Sequence, residues 1–122
     1  MTDQLPLGKF AKRPPLVIER GRKVVKREQH RQEIRALVFA RDHGMCRCCK
    51  GHATEMHELV FRSRGGKRSL YNSIAVCTSL GGANCHQMLQ KHIIDWAYTD
   101  DERGADALIR FTMPATGRTW ES

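Results

Sequence analysis

No run of apolar residues approaches the ~20 needed to span a bilayer, so the sequence predicts no transmembrane segment. The first residues, Met1 to Lys9, also lack the apolar stretch of a secretory signal. Both absences predict a protein of the reducing cytoplasm, where closely spaced cysteines serve as metal ligands rather than disulfides. Internal repeats and low-complexity tracts are missing too, which excludes solenoids and compositionally disordered chains. Aromatic residues make up only 7% of the 122 residues, and a chain of this length buries a modest core. One small domain with an N-terminal extension is expected.

Acidic residues are in short supply: 13 against 21 Lys and Arg, a formal net charge of +8. The resulting pI of about 9.7 implies a polyanionic partner, nucleic acid first and an anionic membrane surface second. The charge is uneven, with 11 basic and 5 acidic side chains in residues 1 to 45 and the reverse balance, 3 and 6, in residues 93 to 122. The basic stretches therefore precede and include the cysteine-rich centre.

Residues 1 to 27 combine Pro6, Pro14 and Pro15 with many Lys and Arg and show no sustained periodicity, which predicts a basic arm, disordered without a partner. From Arg27 to Asp42 the spacing of Ile34, Leu37 and Val38 predicts a helix ended by Gly44. Met56 to Phe61 and Ser73 to Cys77 suit strands, joined by a polar loop over Arg62 to Leu70. A helix is expected from Cys85, with Leu89, Ile93 and Trp96 on one face, and a closing strand over Ala107 to Met113.

Four of the five cysteines pair as Cys46/Cys49 and Cys77/Cys85. Thiolates close together on tight turns supply a tetrahedral zinc site without strain, and Gly51 after Cys49 lets the chain bend around the ion. Gly81-Gly82 allows the longer Cys77 to Cys85 connection to bulge outward. Such a staple contributes about 10 kcal/mol in small peptides, enough to hold two otherwise marginal strands together. Cys48 is left as a bystander.

The order and spacing of Cys46/Cys49, Arg62-Ser63-Arg64-Gly65-Gly66, Asn72 five residues before Cys77, and Cys85-His86 resemble the HNH endonuclease family. The likeness covers about residues 45 to 92. It implies an α+β fold, a small ββα-metal core stapled by a four-cysteine zinc site, preceded by a helix and the basic arm, with residues 28 to 122 as the nuclease domain. It implies hydrolysis of DNA phosphodiester bonds with Mg²⁺ or Mn²⁺, as in free-standing phage or bacterial enzymes of DNA processing or restriction. Counted back from Gly65-Gly66, His57 takes the position of a cation ligand, His86 completes that site, and Asn72 orients the base or assists the metal.

Glu58 stands where the family has its general-base His, and Phe61 where it has Pro. Three readings stay open: Glu58 is the base, with its pKa raised by apolar neighbours; His57 is the base, with Glu58 in support; or catalysis is lost and a zinc-stapled DNA-binding module remains. A zinc module for protein interaction is disfavoured, since it has no use for the Arg62 to Gly66 loop or Asn72. His92, six residues after His86, falls off the same helical face and is not expected to ligate. Arg62, Arg64, Lys67 and Arg68 are placed to hold phosphates, which predicts salt-sensitive, weakly specific DNA binding, extended by the basic residues from Lys12 through Arg35. No dimer surface is legible.

Overall fold

Asp42 is a buried carboxylate at the end of a helix, and the fold gathers around it. A computed structural model describes residues 15–80 and 82–122. It is an α+β protein with two antiparallel sheets, of order β1-β2 and β3-β4-β5. The elements are α1 (Pro15–Arg41), β1 (Glu55–Glu58), β2 (Ser73–Val76), α2 (Cys85–Gln90), β3 (Asp95–Tyr98), β4 (Ile109–Met113) and β5 (Arg118–Glu121). Among the described residues no helix is long and apolar enough to cross a membrane.

The chain divides into two compact units, Met1–Gln32 and Glu33–Ser122, with the boundary inside α1. In the first unit, α1 begins at Pro15, which corrects the expectation of an irregular arm over residues 1 to 27. Proline at a helix start loses nothing, because the first N–H groups have no partner and its fixed φ is already helical. From Glu19 to Arg35 the straight-chain Glu, Arg, Lys and Gln outnumber the poorer formers Gly21, Val24 and Val25, which favours helix without an apolar stripe. Residues 1–14, and with them the expected role of Lys12, lie outside the described residues.

In the second unit, α1 ends in a Schellman turn: the His43 N–H reaches the Ala40 oxygen at 3.3 Å and the Gly44 N–H reaches that of Phe39 at 2.9 Å. His43 has the positive φ that this turn requires, and Gly44 after it has one as well. Strands β1 and β2 pair with His57 opposite Ile74 and Glu58 opposite Ser73. Because successive strand residues face opposite ways, the pair carries two packing surfaces. Met56 and Ala75 pack with Val38 and Ala53 on one side. Ile74 and Val76 join Leu59, Leu89, Ile94, Ile109 and Phe111 in the main core on the other. Ile74, Ile109 and Phe111 are fully buried, each worth roughly 1.5–3 kcal/mol.

The expected helix from Cys85 through Trp96 is cut short at Gln90. His92, with φ 59°, makes a second Schellman turn, its N–H to the Leu89 oxygen at 3.3 Å and that of Ile93 to Met88 at 2.9 Å. Trp96 then lies in β3, opposite Phe111 of β4. A fifth strand that the sequence pattern did not reveal, β5, places Trp120 opposite Phe111, and its indole N–H donates to the Cys48 oxygen at 2.7 Å.

Asp42 Oδ1 accepts from Arg41 Nε at 2.8 Å and Arg47 Nη1 at 3.1 Å, while Oδ2 accepts from the Ala75 N–H at 2.9 Å. Arg47 spends its other three Nη donors on the carbonyls of Ala105, Ala107 and Ser122 at 2.8–2.9 Å. Burial pushes its pKa down, and Asp42 opposes that shift. This network ties the helix end, the cysteine turn, β2 and the closing segment together, and it fixes where the functional side chains stand.

Candidate metal centre and cleft

Two turns bring four sulfurs to one point. In the first, the Cys46 N–H bonds to the Gly51 oxygen at 2.7 Å, and Lys50 adopts a positive φ of 68°. The Cys49 N–H points at Cys46 Sγ at 3.4 Å, and the Gly51 N–H at Cys49 Sγ at 3.3 Å. In the second, the Cys85 N–H points at Cys77 Sγ at 3.3 Å. The sulfurs of Cys46, Cys49, Cys77 and Cys85 lie within 4.8 Å of one another, an arrangement able to hold a metal ion. Backbone N–H groups aimed at sulfur favour the thiolate, the form that binds metals.

The chemistry of the cluster asks for a cation. Without one, the hydrogen bond to Cys85 and burial push the Cys46 thiol up to about 12. Gly82 is the point of closest passage: a Cβ there would sit 3.2 Å from Cys77 Sγ. Cys48 stays outside the four-sulfur cluster, as expected, and packs into the main core.

The cleft beside this centre is built on His57. Its ring meets that of His86 from α2 and that of Phe61 edge-on, with centroids 5.3 Å and 6.0 Å apart. Burial, reinforced by His86, pushes His57 down to about 4. It is therefore neutral at neutral pH, the form in which imidazole ligates a metal. The contact with His86 brings two imidazoles together from different elements, β1 and α2. The Gln90 side-chain amide meets His86 Nε2 at 3.2 Å and restrains that ring.

Glu58 is not brought to the same place. Strand alternation turns it to the opposite face from His57, where its carboxylate meets Arg68 Nε at 3.8 Å. Glu58 and His57, both expected in catalysis, thus stand on opposite faces, and Glu58 lies beside Arg68, one of the four expected phosphate contacts.

Asn72 is also placed differently from expectation. Its Oδ1 accepts from the Val60 N–H at 2.8 Å, and its Nδ2 donates to the oxygens of Val60 and Lys67, both at 2.9 Å. These three bonds are to backbone groups and a longer one comes from the Tyr98 hydroxyl at 3.4 Å, so Asn72 latches the loop shut.

That loop carries Arg62, Arg64 and Lys67, all exposed. A turn of 3-10 helix, Arg62–Arg64, ends at Gly65 with φ 89°. At Gly66 a Cβ would fall 1.7 Å from the Val60 oxygen, so only glycine permits the loop to fold back on the segment that follows β1. Arg64 joins His57, Phe61, His92 and Trp96 in lining the cleft. His92 and Trp96 were missed as cleft residues, because a continuous helix carries them away from His57 and the turn at His92 brings them back. Comparison with protein-family models, curated proteins and solved structures finds no match to this chain.

Proposed function

We propose that the chain is a metal-dependent endonuclease of HNH type, hydrolysing DNA phosphodiester bonds and stapled by structural zinc. The observation that carries this reading is the neutral His57, in edge contact with His86 and lining a cleft together with Arg64. An all-thiolate tetrahedral set favours zinc at the cysteine centre. His57 and His86 would hold the catalytic ion, Mg²⁺ or Mn²⁺, which would supply charge neutralisation at the phosphate and the departing oxygen.

The protein's own residues do the rest. Arg62, Arg64 and Lys67 take the phosphate backbone, and Asn72 and Gly66 hold their loop against the strand. The apolar walls of Phe61 and Trp96 exclude bulk water from the cleft and strengthen every charge interaction inside it. A net charge of +8 supplies the long-range attraction to DNA.

A second reading, a DNA-binding module without catalysis, is favoured by Glu58 facing away from the cleft. Conversion of supercoiled plasmid by zinc-verified protein, with Mg²⁺ or Mn²⁺ and with EDTA, separates the two. Metal-dependent nicking lost in His57→Ala and kept in Glu58→Gln supports the enzyme. DNA retention without nicking under any metal leaves the binding module.

A further inference from the structure

With Glu58 turned away and His57 and His86 assigned to the cation, the cleft needs another group to activate water. Of the cleft-lining side chains, Arg64 cannot deprotonate, and Phe61 and Trp96 carry no base. We propose that His92 is the general base of the reaction and Asp95 its positioning residue; this rests on the nuclease reading above.

His92 lines the same cleft as His57 and Arg64, and it arrives there from a different element, the turn after α2. Its Nδ1 lies 3.4 Å from Asp95 Oδ1 at the start of β3. The pair is exposed, with side chains 66% and 52% accessible, and a carboxylate on that side favours the proton on Nδ1, which leaves Nε2 as the acceptor. The left-handed backbone at His92 is not itself a mark of function, because His43 holds the same position after α1. Its convergence with Asp95 and the cleft is what sets it apart.

In the step assigned to it, Nε2 takes one proton from water as the water oxygen bonds to phosphorus. The P–O3′ bond breaks with its electron pair on oxygen, and that oxygen is protonated by solvent. Later loss of the imidazolium proton to solvent returns His92 to neutral. One water is consumed per diester, giving a 5′-phosphate and a 3′-hydroxyl.

The test is His92→Gly, since glycine accepts the left-handed turn and leaves a space that free imidazole can enter. Zinc content and circular dichroism are checked first, and cleavage of a labelled duplex is followed with Mn²⁺. The expected result is a kcat lowered about 10²- to 10⁴-fold with KM for DNA nearly unchanged, and partial recovery of kcat on adding imidazole. Asp95→Asn is expected to lower kcat by a smaller factor without imidazole recovery. A wild-type kcat in His92→Gly, or a loss that imidazole does not restore, overturns the assignment. Absence of cleavage by the unmodified protein overturns both this proposal and the nuclease reading, whereas cleavage by the unmodified protein together with a wild-type kcat or an unrescued loss in His92→Gly overturns His92 alone.

Discussion

Replacing Asn72 with Ala removes a latch whose strength can be worked out bond by bond. The side chain makes two bonds with Val60, gives one to Lys67, and accepts a longer one from the Tyr98 hydroxyl at 3.4 Å. Each neutral bond is worth about 1 kcal/mol net, and a polar group left unpaired in the interior costs about 1–3 kcal/mol. Lys67 is exposed and Val60 half-buried, so water can take over part of the pairing, and Asn72→Ala should cost roughly 2–3 kcal/mol. Asn72→Asp should cost more, because it sets a carboxylate oxygen against the two carbonyls that now receive N–H groups at 2.9 Å. Urea unfolding of the zinc-loaded protein measures both, and hydrogen exchange at the Val60 and Gly66 amides reports the loop directly. KM for DNA should rise as the arginine-bearing loop loosens. An Asn72→Ala protein with the wild-type urea midpoint and a lost kcat would refute the latch and return Asn72 to the chemistry.

Gly66→Ala should destabilise the domain and abolish DNA cleavage, since the new methyl has no room beside the Val60 oxygen; an active, stable variant would show that the loop folds otherwise. Cys85→Ser should lose zinc and unfold the protein, while Cys48→Ala should keep one zinc per chain by elemental analysis; the opposite result would reassign the ligands. In zinc-loaded protein without added divalent ion, NMR titration of His57 should give a midpoint near 4, and one near 6.5 would show a hydrated ring. Because the folded value lies below the unfolded one, His57 lowers stability as pH falls from about 6.5 toward 4.

The cysteine centre was legible because its signal is local: closely spaced thiols and the glycines that let turns close around an ion. The Schellman turn at His92 was not, since Leu89, Ile93 and Trp96 at helical spacing fit a continuous helix as well as a short helix followed by a strand. Strand β5 has one large apolar residue, Trp120, and its anchor is a carbonyl far away in sequence at Cys48. Arg47 hid for the same reason, because its partners are distant backbone oxygens and a buried carboxylate. The separation of His57 from Glu58 was readable in principle: neighbours on a strand face opposite ways, so only one could serve the cleft.

The most direct test of the central claim is Mn²⁺ titration of zinc-loaded protein followed by electron paramagnetic resonance, with nitrogen couplings resolved. The account predicts one bound Mn²⁺ with two imidazole couplings, both lost in His57→Ala/His86→Ala, and plasmid nicking that rises with Mn²⁺ occupancy. Mn²⁺ binding unchanged in the double variant, or nicking that does not follow occupancy, would contradict it.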